Sequence, residues 1–278
     1  SAAAFLALST HCVYAPLNIR LTEPELAFEF EDLPARAVVV QAFTLEAGAE
    51  RPVDSSGVLE VAKHMDIPIL LLTPDREECG IFSLAWHGET PRRLDAKPRT
   101  SARRGDLAVV LHTSGTTKKP KIVPLTHENI AVGSQCIAST LQLKAGSDLG
   151  INIMPLFHIH GLSINVLASM LSGVPVLATP GFQVDSFFGW LDERKPTWYS
   201  AVPTMHQQIL ETALDHERAQ GRPPEHRLQL IRNCSAALLP HVAEGMERAF
   251  RCVVMPTYAM TESMPIASNP RTPDRGPR

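Results

Sequence analysis

At 278 residues, with a formal net charge of −3 and 20% charged side chains, the chain can bury a full core, and its charge balance calls for neither nucleic acid nor an anionic membrane. Its five cysteines, Cys12, Cys79, Cys136, Cys234 and Cys252, are odd in number and contain no Cys-x-x-Cys pair, which argues for a reduced intracellular compartment. No apolar run approaches the ~18 residues of a membrane span.

The opening Ser1-Ala-Ala-Ala-Phe-Leu-Ala-Leu resembles the apolar part of a signal peptide, but no basic residues and no initiator methionine precede it. It reads as the tail of a core helix, so the chain is expected to be cut from something longer. Cys12-Val-Tyr-Ala-Pro-Leu-Asn18 reads as a short strand running into a proline turn. Thr22-Glu-Pro-Glu25 has the form of a capping box opening a helix to about Leu33. Ala37–Gln41 is a strand by its β-branched content, a helix follows from Asp54-Ser-Ser to His64, and Ile67–Leu72 is a buried strand. Pro91–Arg104 carries six basic residues and two prolines and reads as a solvated connector.

The apolar Leu107-Ala-Val-Val-Leu-His112 predicts another buried strand. Thr126 caps a helix to about Leu143, Ile151–Met154 is a strand, and a helix over His160–Leu171 closes at Gly173. Val174–Ala178, Thr197–Val202, Leu228–Asn233 and Cys252–Pro256 are further strands, each separated from the next by a helix-length segment. This alternation predicts an α/β fold of mainly parallel sheets covered by helices, in which ligands collect beyond the carboxyl ends of the strands.

Four stretches sit where such ligands would collect. The first is the loop Thr113-Ser-Gly-Thr-Thr-Lys-Lys-Pro-Lys-Ile-Val123. Its bared backbone N–H groups and the hydroxyls of Thr113, Ser114, Thr116 and Thr117 can donate to phosphate, Lys121 adds positive charge, and Gly115 lets the backbone come close. By composition alone it could equally be a solvated turn, and it is not a Walker loop, since no Gly-Lys-Ser/Thr closes it. The second stretch is Pro155-Leu-Phe-His-Ile-His-Gly161. His158 and His160 could be a metal pair, but no third and fourth ligand is spaced nearby, and a packed histidine is the alternative for one of the two. Asn233-Cys-Ser-Ala-Ala-Leu-Leu-Pro240 offers small residues against which a flat ring could lie, or an ordinary strand–helix turn. Tyr258-Ala-Met-Thr-Glu262 offers an aromatic ring, a hydroxyl and a carboxylate, or a solvated surface loop.

The order of residues in Thr113–Lys121 resembles the phosphate loop of the adenylate-forming ligases, which include acyl-CoA synthetases, luciferases and the adenylation domains of peptide synthetases. Tyr258-Ala-Met-Thr-Glu262 resembles the family's Tyr-Gly-x-Thr-Glu motif, with Ala259 in place of glycine. Leu-Phe-His-Ile-His-Gly161, Thr197–His206, Arg232-Asn-Cys-Ser-Ala236 and Ser268-Asn-Pro270 resemble the branch containing oxalyl-CoA synthetases. Lys118 and Ile122 stand where the family usually has glycine. If position 118 sits at positive φ, its lysine is strained by about 1–2 kcal/mol. Oxalate-using members carry a histidine shortly after Thr-Glu, where this chain has Ser263-Met-Pro-Ile266, so an apolar or short-chain acid is favoured over oxalate.

The resemblance implies ATP-dependent activation of a carboxylic acid to an acyl-adenylate, followed by transfer to a thiol, CoA above all. It assigns Thr113, Ser114, Gly115, Thr116, Thr117 and Lys121 to the phosphates. Ser235, Ala236, Ala237 and Tyr258 go to adenine, Thr261 to the α-phosphate, Glu262 to Mg²⁺, and His158 and Met264 to the acid. Residues 1–90 would be a first α/β portion, 91–106 a connector and 107–278 the nucleotide-binding portion of an incomplete large domain, with the small C-terminal domain missing. Two alternatives stay open: an enzyme of the same chemistry loading a carrier-protein thiol, and a non-catalytic nucleotide-binding relic. The implied home is cytoplasmic or peroxisomal.

Overall fold

The computed structural model describes residues 2–18, 20–44, 50–52, 56–88, 101–113 and 120–271. The chain divides into two compact units, residues 1–103 with 108–122, and residues 104–107 with 123–278.

In the first unit, helix α1 (Ala2–Ser9) precedes α2 (Glu23–Asp32). The Glu25 carboxylate accepts hydrogen bonds from the Thr22 N–H at 2.8 Å and its hydroxyl at 2.7 Å, the capping box expected there. Strands β1 (Val38–Thr44), β2 (Glu50–Pro52), β3 (Ile69–Pro74) and β4 (Phe82–Trp86) form a four-stranded sheet in the order β2-β1-β3-β4, with α3 (Ser56–His64) linking β2 to β3. The central pair β1/β3 is parallel and both flanking pairs are antiparallel. Leu26 and Phe30 of α2 and Val58, Val61 and Ala62 of α3 pack on Val38, Val40, Ala42, Ile69 and Leu71. The strand expected over Cys12–Asn18 is a single bridge, in which Tyr14 pairs with Val109. Pro16 cannot donate to a ladder, which limits it there.

Strands β5 (Leu107–Thr113) and β6 (Lys121–Thr126) pair as a two-stranded sheet, and the division between units falls within them. Lys121 to Val123, expected in a loop, therefore begins a strand.

The second unit is built on a six-stranded sheet. Its strands are β7 (Gly150–Asn152), β8 (Val176–Ala178), β9 (Trp198–Ala201), β10 (Leu230–Asn233), β11 (Val253–Met260) and β12 (Ser263–Ser268), in the order β12-β11-β10-β9-β7-β8. Every pairing is parallel except β11/β12. Helices α4 (His127–Leu141), α5 (Ala168–Leu171), α6 (Val184–Arg194), α7 (Pro203–Gln220) and α8 (Pro240–Phe250) cover it. At the start of α4, Thr126 accepts from the Asn129 N–H at 3.1 Å while its own N–H donates to the Asn129 side chain at 3.0 Å. The helix expected over His160–Leu171 is a π-helix for its first eight residues, His160–Leu167, and α-helical only at Ala168–Leu171.

Strand alternation sorts the sheet's two faces. Ile151, Tyr199, Ile231 and Val254 lie side by side in register and point to α6, α7 and α8, packing on Phe187, Leu191, Ile209, Met246 and Phe250. Trp198 and Leu230 point the other way, to Ile137 and Leu141 of α4, Ile164 of the π-helix and Ala168 of α5. On that second face, at the carboxyl end of the strands, the side chains turn polar: Ser200 follows Trp198 and Arg232 follows Leu230. The chain runs from β7 outward to β8 and then crosses back past β7 to β9, so winding reverses between β7 and β9, the place where doubly wound sheets open a crevice.

Candidate functional site

The carboxyl edge of the six-stranded sheet gathers the second unit's predicted residues. After β7, the Asn152 side chain folds the next turn by donating to the Met154 carbonyl at 3.0 Å and accepting from the Met154 N–H at 3.2 Å. Asn165 of the π-helix donates to the same Asn152 oxygen at 2.7 Å, tying turn to helix. Between them the segment 155–159 carries His158 to the surface, its ring 4.6 Å from that of Phe157. Partial desolvation lowers the His158 pKa from 6.5, so the ring is neutral at pH 7.

His160 has the opposite fate. It is buried, with Nε2 2.7 Å from Ser200 Oγ on β9 and Nδ1 3.1 Å from Ser235 Oγ beyond β10. Burial first, then the charge on Arg232, then His206 and His158, hold its pKa well below 6.5. A guanidinium N–H of Arg232 reaches the same Ser200 hydroxyl at 3.4 Å. Arg232 is 1% exposed, and among the described residues it forms no ion pair.

Past β10 the Cys234 N–H continues the ladder to the Ala201 carbonyl at 3.1 Å, and the Asn233 side chain donates to the Ala236 carbonyl at 2.9 Å. Ser235 between them has φ +75°. Three of the other non-glycine residues at positive φ, Gln142, Lys195 and Arg251, are helix C-caps, where that geometry is ordinary. Ser235 ends no helix, and the left-handed backbone costs it about 1 kcal/mol. Ser235, Ala236 and Ala237 are all exposed.

The Tyr258–Glu262 motif was expected beyond a strand ending at Pro256, but β11 runs on to Met260. Tyr258 pairs with Ala267 and Met260 with Ser263, and Thr261 and Glu262 form the turn between them. The Tyr258 ring is 63% exposed. Glu262 is exposed and makes no ion pair among the described residues. Met264, half-buried on β12, passes so close to α4 that a Cβ on Gly133 would lie 2.6 Å from its carbonyl oxygen.

In the first unit, Thr113 ends β5 and Lys121 begins β6, with the Thr113 hydroxyl 3.5 Å from the Lys121 carbonyl. Ser114, Gly115, Thr116 and Thr117 lie outside the described residues. No group of three or more His, Cys, Asp or Glu side chains suited to a metal gathers among the described residues, and none of the described helices is long and apolar enough to cross a membrane. Sequence reasoning missed Asn152, Asn165, Ser200 and Arg232. Asn152 and Arg232 left a legible trace, an amide or charged residue inside the otherwise apolar stretches Ile151-Asn-Ile153 and Leu230-Ile-Arg232, whereas Asn165 and Ser200 left none.

Comparison with known proteins agrees with this architecture. The AMP-binding enzyme family matches residues 2–278. A probable CoA ligase of Humulus lupulus is 33% identical over 98% of this chain and 50% of its own length. An oxalate–CoA ligase of Arabidopsis thaliana is 32% identical over 95% of this chain and 48% of its own. The crystal structure of ATP-bound MatB from Rhodopseudomonas palustris superposes with a TM-score of 0.71 at 25% identity, covering 95% of this chain and 48% of that one. The chain thus spans about half the length of the curated relatives it matches. With its parallel sheet, its reversal of winding and a family match running from the second residue to the last, the chain belongs to the AMP-binding enzyme family.

Proposed function

We propose that this chain carries the nucleotide- and acid-binding portion of an acid–thiol ligase. In the reaction, a carboxylate oxygen attacks the α-phosphorus of ATP and expels pyrophosphate. The sulfur of a thiol, CoA above all, then attacks the acyl carbon and expels AMP. The observation that carries this reading is the gathering of His158, Ser235–Ala237 and Tyr258 at one carboxyl edge of the sheet, in a chain of this family. No protein nucleophile is required, so the residues bind and orient rather than bond.

Exposed small residues at 235–237 and the open ring of Tyr258 suit a flat base, which can lie on one and stack on the other. Thr261 would donate to the α-phosphate. Thr113, Ser114, Gly115, Thr116, Thr117 and Lys121 would hold the β- and γ-phosphates. The exposed carboxylate of Glu262, which makes no ion pair among the described residues, fits Mg²⁺, which binds through one or two carboxylates together with substrate phosphates. When bound, that ion neutralises charge on the pyrophosphate as it leaves. His158, neutral and at the surface, can accept or donate one hydrogen bond to the acid, and Met264 offers the acid an apolar wall, which favours a short or apolar acid. Among the described residues no two cysteines are joined in a disulfide, which suits a cytoplasmic or peroxisomal setting.

The test is ATP–pyrophosphate exchange by the protein that contains this chain, across acids from oxalate to medium-chain fatty acids. One acid should support exchange, and Glu262→Ala should lower the rate by about 100-fold or more. No exchange with any acid from folded protein would overturn the reading. Spanning half of its relatives' length, the chain by itself should bind Mg·ATP weakly and release little pyrophosphate. Robust release from it would show that the part of those relatives outside the matched region is dispensable for this step.

A further inference from the structure

The polar side chains beneath the carboxyl edge form a line with a direction. Arg232 can only donate, and it stays charged in proteins, even though burial lowers its pKa. Its N–H meets Ser200 Oγ at 3.4 Å, so the lone pairs of that hydroxyl face the cation and its own proton must go elsewhere. The remaining partner is His160 Nε2, at 2.7 Å. That length is typical of an O–H donor, whereas the 3.1 Å from His160 Nδ1 to Ser235 Oγ is typical of an N–H donor. With the Ser200 proton turned away from Arg232 towards the imidazole, Nε2 accepts, and the neutral ring then carries its proton on Nδ1, which donates. Ser235 Oγ therefore receives a hydrogen bond from below, and its own proton is left to point out of the protein.

We infer that Arg232, Ser200, His160 and Ser235 form a one-way donor relay that makes the exposed Ser235 hydroxyl a donor committed to an anionic oxygen of the bound substrate, carboxylate or phosphoryl. The relay explains two otherwise costly features together. A buried cation with no carboxylate paired to it among the described residues acts at the surface through polarised hydroxyl and imidazole groups, each strengthening the next. A serine held at φ +75°, where glycine would be free of strain, persists because glycine has no hydroxyl to deliver. Asn233, donating to the Ala236 carbonyl, and Cys234, bonded to Ala201, fix the backbone on either side, so the direction of the Ser235 Oγ is set from three sides. Ser200 and Arg232 touch no surface, which makes them positioning residues. The placement of Ser235 in the substrate site rests on the function proposed above.

Two measurements decide it. In protein carrying ¹⁵N-labelled histidine, the imidazole signals lost in His160→Gln should report Nδ1 protonated and Nε2 bare at pH 7, and Ser200→Ala should shift the Nε2 resonance. A proton on Nε2 overturns the relay, whatever the substrate. For function, Ser235→Gly removes the hydroxyl and relieves the backbone, so a loss cannot come from strain. It should weaken one ligand by about tenfold to a hundredfold, a hydrogen bond to a charged group. A loss confined to Mg·ATP binding identifies a phosphoryl oxygen, and a loss confined to the KM of the acid identifies its carboxylate. Unchanged affinity for both overturns the proposal. If the unmodified protein binds neither ligand, the reading of the site fails, and the tautomer still decides the relay.

Discussion

Acidification from pH 7 to pH 4 is expected to remove about 3 kcal/mol of folding stability through His206 alone. This histidine, in the first turn of α7, is buried beside Tyr199, whose hydroxyl lies 3.2 Å from Nδ1, and near the backbone of Ala201 and Arg232. Burial lowers its pKa from 6.5 to about 4, although those backbone groups favour the charged form. The unfolded chain therefore binds a proton below pH 6.5 that the folded chain refuses until about pH 4. Stability is full above the unfolded value and is lost as pH falls across that window, by about 1.4 kcal/mol for each pH unit that separates the folded and unfolded values. His160, held low by burial and by Arg232, His206 and His158, adds loss of the same sign. Urea unfolding at half-unit steps from pH 7 to pH 4 measures the slope, and His206→Gln should flatten it. An unchanged slope in the variant would show that His206 is not the group that titrates.

Gly161→Ala is expected to cost about 2–3 kcal/mol of stability and about 100-fold in kcat/KM for pyrophosphate exchange. A Cβ at this position would sit 2.4 Å from the Pro155 carbonyl oxygen and 3.1 Å from that of Met154, both backbone atoms that cannot swing aside. The π-helix would have to move away from the turn it closes. With it would go His160, the residue next to Gly161, and His158 would move with the turn. A misplacement of about 1 Å is enough for a loss of that size. Gly189→Ala in α6, where a Cβ meets nothing within 4 Å, serves as the matched control and should stabilise slightly. Equal behaviour of the two variants would refute the argument from close approach. Circular dichroism melts and exchange rates on both proteins settle it.

The alternation of apolar strands with helix-length segments was enough to anticipate the five parallel strands of the larger sheet, because strands buried on both faces read as short runs such as Leu230-Ile-Arg-Asn233. Caps at Thr22 and Thr126 were legible because they are local, each made by a residue three positions on. Strand β12 was not, since Pro265 in its middle argues against a strand anywhere but at a sheet edge, and edge position is a property of the fold rather than of the segment. Strand β4 was missed for a related reason: Ser83, Leu84 and Ala85 are all exposed, so no burial pattern marks it. The segments expected to bind could be picked out one at a time from their residue types. What could not be read was the line from Arg232 to Ser235, whose links join positions 32, 40 and 75 residues apart. Such links exist only once β9, β10 and the π-helix are assembled.

The same outermost strand has a bearing on how the protein behaves in a crowded solution. A parallel sheet that ended at β11 would present a row of open N–H and C=O groups to any passing chain. β12 covers that row, and Pro265 in it has no N–H to offer a further strand. At the other end β8 is only three residues long, too short to template an extended partner. Both margins of the sheet are thereby blunted against edge-to-edge aggregation, while the central strands β9 and β10 stay buried between their neighbours.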